Sequence, residues 1–459
     1  MKIIVAGTGF VGVTHAAVIS EYGHEVYAYD IDEQKLDAYR SADRNRIGQY
    51  VNEAGLPEII AETRERSLFF TSALEEVIEG VEAIFLCLPT PPNLDGSSNL
   101  SFYFQAIEHL CGLLARRNDT RRVVLINKST VPIGTVRQLE DKLKEYEVPN
   151  AGVASNPEFL PEGDAIEQSR RPSRVVVGAD HEEDFQIIRR IYSHFVNHVR
   201  IRYIETTPET AEAIKYVSNT LLFTYISFWN GVGARLGESL PNIRMEELKL
   251  GVTADSRISN WGSYVSNGAG GSCYGKDTLS LIYQLRTLGQ SADILRSVYE
   301  INEYQKTYLL DRAVHEAGVR FNQKRVALLG LAFKQRTNDM RDSSSLKLVE
   351  ALLARGVSEI RAYDPMAMDE AKRFFNPDDN HLFQHITYHE SSKAALEGSD
   401  MLIITTDWPE FRGLSGTILD TVAPPYLVID GRRMISDFQE LAKQGYSYLA
   451  VGSRYLSPQ

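Results

Sequence analysis

Two doubly wound α/β domains, joined by a long central helix and a helical middle region, are the fold class that the sequence predicts. Three observations lead there. Short β-branched runs alternate with helical patterns through the first 200 residues, and the same alternation resumes after Gln323. Between Pro208 and about Gly318 the pattern is helical, with one glycine-rich interruption. The expected domains are 1–200, 201–318 and 319–459.

Taken in order, Lys2–Ala6 reads as a strand, a glycine turn follows, 13–22 reads as a helix, and Glu25–Tyr29 is the next strand, ending at Asp30. Further strands are expected at 83–88, Val123–Asn127, 152–155 and 174–177. The pattern beginning at Pro208 opens with proline and acidic residues, as a helix N-terminus does. Gly262, Gly268, Gly270, Gly271 and Gly275 lie among Ser and Asn and mark a loop. The last domain shows strand patterns at Arg325–Leu329, Glu359–Tyr363, 400–405 and 426–429.

Composition narrows the function. With 43% hydrophobic and 24% charged residues the chain reads as an ordinary folded protein. The net charge of −12, without a basic cluster, argues against nucleic acid, although a local basic pocket can still hold an anion. Three cysteines in 459 residues suit a reducing cytosol, and Cys87 and Cys111 lie in patterns that read as core. Met1-Lys2 leads straight into a strand, so no signal peptide is expected, and no apolar run approaches the ~18 residues of a membrane span. A soluble cytoplasmic protein is the expectation.

Gly7-Thr-Gly9-Phe10-Val11-Gly12 follows a strand and opens a helix, and Asp30 ends the next strand. This is a Rossmann-like arrangement: glycines let a pyrophosphate approach the helix N-terminus, and the carboxylate accepts from ribose hydroxyls. Asp30 would repel a 2′-phosphate, which favours NAD over NADP. Lys128-Ser129-Thr130-Val-Pro132 and Asn156-Pro-Glu158-Phe159-Leu160-Pro-Glu162 each follow a strand, where ligands of open α/β sheets bind. Taken alone, the first is a turn and Glu158 an exposed acid.

Lys215 and Asn219 share one helix face, four residues apart. Most helix lysines are merely solvated, but an amine and an amide aimed at one point stabilise an oxyanion. The stretch Gly268-Ala-Gly270-Gly-Ser-Cys273-Tyr-Gly-Lys276-Asp277 strips away bulk just before a thiol. Ser272 would cap a helix there, and a cysteine at a helix N-terminus beside a lysine has its pKa lowered towards the nucleophilic thiolate. Asp277 follows one helical turn on. Lys334, Arg341, Arg432 and Arg433 sit near strand C-termini and suit a phosphate-bearing ligand, against the plain alternative of surface cations.

Together, and in this order along the whole chain, these segments resemble the UDP-glucose/GDP-mannose dehydrogenase family. The resemblance implies an N-terminal NAD domain, a C-terminal nucleotide-sugar domain and a central helix that builds a homodimer. It implies a four-electron oxidation of a sugar C6 alcohol to a carboxylate with two NAD in turn and no metal. Cys273 would attack the C6 aldehyde, and water would hydrolyse the thioester left by the second hydride transfer. Lys215 and Asn219 would stabilise oxyanions, Asp277 would position or activate water, and Thr130 and Glu158 would bind or orient it. Gly7, Gly9, Phe10, Val11, Gly12, Asp30, Lys35 and Thr90 would serve NAD, with Thr130, Glu162, Lys276 and Arg341 beside it. For the nucleotide sugar the resemblance implies Phe159, Leu160, Glu162, Lys215 and Asn219. It adds Tyr264, Gly270, Lys334, Arg432 and Arg433, with Arg257 reaching a neighbouring subunit's substrate.

Ser129-Thr-Val-Pro132 fits UDP-glucose better than GDP-mannose within that family, and Ser272 with Lys276-Asp277 argues against its N-acetylated-sugar branch. Two departures stand out: Ala269 where the family carries Phe or Tyr, in an unusual 261–267 loop, and Glu53-Ala-Gly-Leu56 where it carries Glu-Pro-Gly-Leu. The first leaves another nucleotide sugar open as substrate. Two rivals differ in kind. A two-electron hydroxy-acid dehydrogenase would need no thiol, and a non-catalytic NAD-binding regulator would turn nothing over.

Overall fold

The structure, a computed structural model, describes residues 1–458. The chain forms two compact units. One comprises Met1–Ser218 with Tyr283–Leu288; the other comprises Asn219–Ile282 and the chain from Gly289 onward.

The first unit is built on eight strands: β1 (Lys2–Ala6), β2 (Glu25–Tyr29), β3 (Leu68–Thr71), β4 (Ala83–Leu86), β5 (Val123–Asn127), β6 (Ala151–Ser155), β7 (Arg174–Ala179) and β8 (Arg202–Thr206). Their order is β3-β2-β1-β4-β5-β6-β7-β8. All neighbours pair in parallel except β6 with β7. The central strands are buried on both faces: Ile3, Ile4, Val5, every residue of β4 and every residue of β5 are closed to solvent. Each large side chain so buried stabilises the sheet by about 1.5–3 kcal/mol. That burial on both faces is why these strands read as unbroken apolar runs. The order reverses between β1 and β4, and the helix Phe10–Glu21 starts at that crevice.

The second unit repeats the plan with six strands, all parallel: β9 (Arg325–Leu329), β10 (Glu359–Tyr363), β11 (Ile386–Tyr388), β12 (Met401–Ile404), β13 (Leu427–Asp430) and β14 (Ser447–Ala450). The order β11-β10-β9-β12-β13-β14 matches the first six strands of the other sheet. Asp364, just after β10, is buried and filled by donors. Its Oδ2 takes the N–H groups of Leu331 (2.7 Å) and Ala332 (3.1 Å) and the Trp408 indole (3.0 Å), and its Oδ1 takes Met366 and Ala367 N–H. The turn after β9 is thereby closed on its own acid.

The region between the sheets is helical, as expected. The central helix Pro208–Phe228 runs into a π-helical turn, Trp229–Gly233. Tyr274–Thr287 and Asp293–Ala317 follow the glycine loop, and the latter ends on Gly318 in the left-handed conformation. Among the described residues no helix is long and apolar enough to cross a membrane. Four strands escape the sequence reading: β3, β8, β11 and β14, the outermost strands of the two sheets.

Candidate active site

The glycine turn in the first unit is shaped for close approach. A Cβ on Gly12 would lie 1.8 Å from the Gly7 carbonyl oxygen, so only glycine lets the helix begin there, whereas Gly9 faces open space. No side chain caps the Phe10–Glu21 helix, so the first-turn N–H groups of Phe10, Val11 and Gly12 suit an anion. Asp30 is buried beside them. Its Oδ2 takes the Thr8 N–H (2.8 Å), the Thr8 hydroxyl (2.7 Å) and Lys35 Nζ (2.8 Å), and its Oδ1 takes the Asp32 N–H (3.1 Å). Burial alone would raise this carboxyl, but the Lys35 and Thr8 bonds prevail and hold it below its ordinary value. Oδ1 keeps acceptor capacity for a ribose hydroxyl. These residues fit a dinucleotide.

Beyond the neighbouring strand ends lies a buried ion pair. Lys215 Nζ donates to Glu158 Oε1 at 2.7 Å, and the two side chains are only 6% and 8% exposed. Neither plain reading holds: Glu158 is no surface acid and Lys215 no solvated lysine. Burial works to raise the Glu158 carboxyl, and the Lys215 charge and bond, the Leu160 N–H and the Lys128 charge bring it below its ordinary value. Lys128, also buried, bonds Asn156 Oδ1 at 3.0 Å, and burial pushes its ammonium down to about 8. A cavity of about 80 Å³ opens beneath, lined by His15, Lys128, Glu158 and Tyr192. The Phe159 ring lies under Arg174 (3.9 Å) and 5.6 Å from Lys215 Nζ, while Leu160 and Glu162 are half-buried on the same loop. Thr130 and Thr90 come together, the Thr90 hydroxyl donating to the Thr130 carbonyl at 2.9 Å.

In the second unit the thiol is exposed. Cys273 immediately precedes the helix Tyr274–Thr287, and its carbonyl takes the first-turn bond from the Asp277 N–H at 2.8 Å. The helix thus starts one residue later than a Ser272 cap would set it; Ser272 Oγ lies 3.8 Å from Sγ. Asp277 is fully buried and doubly bonded, with Asn219 Nδ2 at 2.7 Å on Oδ2 and Lys276 Nζ at 2.6 Å on Oδ1. A Cβ on Gly270 would lie 2.7 Å from the Asp342 carbonyl, so the loop has no space for bulk there. The rest of the loop hangs on side chains that sequence patterns do not reveal. Asn302 takes the Ala269 N–H (2.7 Å) and donates to its carbonyl (3.0 Å), Gln305 donates to the Ser266 carbonyl (2.6 Å), and Asn230 in the π turn takes the Ser266 N–H (2.8 Å).

The remaining cations divide. Lys334 is half-buried, 5.6 Å from the Phe333 ring, and Tyr264 is 42% exposed. Arg432 donates to the carbonyls of Thr405 (2.8 Å) and Phe333 (2.9 Å), which fixes it at the ends of β9 and β12. Arg341 and Arg257 are exposed and pair with Asp339 and Asp255. Arg433 is committed to Glu246 (2.7 Å) and the Val451 carbonyl (3.0 Å). Glu53 is a residue whose role sequence reasoning missed: it is buried and accepts from the Gly163 and Ala165 N–H groups, holding the turn after Glu162.

Comparison with known proteins decides the family. UDP-glucose 6-dehydrogenase of Pseudomonas aeruginosa is 34% identical over 98% of this chain and 97% of its own length. The chain belongs to the UDP-glucose/GDP-mannose dehydrogenase family. It matches the family's NAD binding domain over residues 1–196, its central domain over 209–304 and its UDP binding domain over 327–437. UDP-glucose 6-dehydrogenase YwqF of Bacillus subtilis is 33% identical, covering 100% of this chain and 99% of that one. The fold agrees with the UDP-glucose dehydrogenase of the hyperthermophilic archaeon Pyrobaculum islandicum, at a TM-score of 0.87, 30% identity and 98% coverage of both chains. As a member of the family the chain is a nucleotide-sugar dehydrogenase with an NAD-binding Rossmann domain.

Proposed function

We propose that this dehydrogenase oxidises the C6 alcohol of UDP-glucose to the carboxylate of UDP-glucuronate, with two NAD in turn and Cys273 as nucleophile. One observation carries the reading: an exposed thiol opens a helix whose first turn holds a buried carboxylate, Asp277, pinned by an amide and an ammonium. Bound NAD supplies a hydride acceptor. Loss of hydride from C6 and of its hydroxyl proton leaves an aldehyde. Cys273 Sγ then bonds C6, and Lys215 and Asn219 donate to the oxygen that gains charge. Loss of a second hydride leaves a thioester. Water held by Thr130, Glu158 and Asp277 attacks it, the C–S bond breaks and the thiol returns. Alcohol, water and two NAD⁺ thus become carboxylate, two NADH and three protons.

On this reading residues 1–200 hold NAD, 319–459 hold the nucleotide sugar, and 201–318 join them. A homodimer belongs to the proposal, supported by a stripe of exposed apolar residues along the central helix and its extension: Val217, Leu221, Phe228, Val232 and Leu236. Three free thiols suit a cytoplasmic enzyme. Counting NADH per UDP-glucose, with GDP-mannose and UDP-galactose in parallel, tests the reading. Two NADH and an acid product are expected. One NADH per sugar would overturn the four-electron reaction. Turnover with another nucleotide sugar alone would keep the chemistry and transfer the specificity question to the Ala269 loop.

Asp30→Ala tests the dinucleotide assignment. Losing the ribose acceptor is expected to raise the KM for NAD about tenfold or more. Removing the negative charge weakens the exclusion of NADP. A variant with the wild-type ratio of kcat/KM for NAD over NADP would show that Asp30 does not face the ribose.

A further inference from the structure

We propose that Glu212 is a positioning residue for this reaction: its carboxylate, by capping the helix that follows the Thr130 loop, fixes Thr130 beside Lys215. The inference rests on the function proposed above. The helix Thr135–Glu145 begins after Gly134, a left-handed glycine that supplies no side-chain cap. Glu212, on the central helix one turn before Lys215, reaches across instead. Its Oε2 takes the Gly134 N–H at 2.6 Å and its Oε1 takes the Val136 N–H at 3.0 Å, two of the donors that a helix start leaves orphaned. Gln284 takes the Ile133 N–H at 2.8 Å, so side chains hold the segment after Thr130 at Ile133, Gly134 and Val136. Thr130, Glu212 and Lys215 line one void of about 10 Å³, close to the space of a single water.

The chemistry of this acid is unusual for a mere cap. Glu212 is 3% exposed, and burial, aided by the charge of Glu209, raises its carboxyl to about 7 against the pull of the two N–H bonds and of Arg137. The charged groups around it are largely engaged elsewhere. Arg137 binds Glu209, Glu140 and Asp180, Lys215 binds Glu158, and the buried Tyr103 hydroxyl binds Asn127. Because the folded-state value is raised, the native chain holds this proton more tightly than the unfolded chain. The stabilising contribution is complete below about 4.5 and is lost as pH rises through about 7. The ionised form that accepts both N–H bonds well is therefore the form that costs the fold. A group kept in that condition beside a reacting site fits a functional duty better than a structural one.

The test compares wild type with Glu212→Gln, which keeps the shape and removes the charge. Wild-type kcat with UDP-glucose is expected to rise with pH through an ionisation near 7. The variant is expected to lack that ionisation and to lose about 10- to 100-fold in kcat, the scale of a misplaced catalytic loop. A variant with the wild-type kcat and the same ionisation would overturn the proposal. Amide exchange in the wild-type protein gives a readout independent of turnover. After correction for the intrinsic rate, protection at Gly134 and Val136 should fall as pH drops through 7, and uniform protection from pH 6 to 8 would overturn the clamp. If no nucleotide sugar is turned over, the function falls and the exchange result still decides Glu212.

Discussion

Cys273→Ser is expected to abolish net conversion of the nucleotide sugar to its acid, with a loss of at least ~10³-fold, the scale seen when a covalent nucleophile is removed. The residue is exposed and its side chain supports little of the core, so fold and NAD binding should survive the change. Only the chemistry is at stake. A serine hydroxyl is scarcely ionised near neutral pH, where a thiol is a strong nucleophile. Residual turnover should stall at the aldehyde or acyl stage, which mass spectrometry of the quenched protein and of the released sugar would separate. Full conversion with two NADH per sugar would refute the thioester route.

Lys215→Met should cost both stability and activity, because it leaves Glu158 buried without its ammonium. Removing one member of a buried pair costs about 3–5 kcal/mol, and loss of an oxyanion donor costs about 10²–10³ in kcat. The pH dependence of the stability loss identifies the pair as its source. In the wild type the Glu158 value is depressed, so its contribution is present above the ordinary carboxylate value and is lost as pH falls through the folded-state value. In the variant burial dominates and raises that carboxyl, which reverses the sign: stability is lost as pH rises, with Lys128 as the remaining nearby cation. Urea unfolding at pH 5 and pH 8 should therefore show a wider gap between the two proteins at pH 8. An equal gap at both values would mean that the carboxylate and the ammonium are not coupled.

The layers of the fold were legible because the inner strands are buried on both faces. β1 and β5 appear at their observed bounds, as runs such as Val-Val-Leu-Ile-Asn, while β2, half-buried, appears at its bounds as an alternating pattern. The outermost strands were not, since an edge strand pairs on one side only and needs no long apolar run. β8 has no buried residue, and β11 has three residues in all. The chemistry-bearing side chains were legible as motifs, but their partners were not. Lys215 lies 57 positions from Glu158, and Asn219 lies 58 from Asp277. No periodicity links such pairs. Asn302 and Glu212, and the role of Glu53, went unread for the same reason: each is an ordinary polar residue until the fold brings it to a backbone group.

The two sheets share a strand order, yet the acid after the second strand has opposite fates in them. Asp30 holds back part of one oxygen, whereas Asp364 spends both on its own backbone and on Trp408. On the proposed function Asp30 keeps an acceptor for a dinucleotide's ribose, whereas Asp364 keeps none. Two oxidant molecules would then use that one site in turn. On the proposed chemistry, spent cofactor has to leave and fresh cofactor arrive while a half-oxidised sugar is still in place. The bond to Cys273 then acts as a mooring: it keeps a reactive aldehyde from drifting into the cell during the exchange.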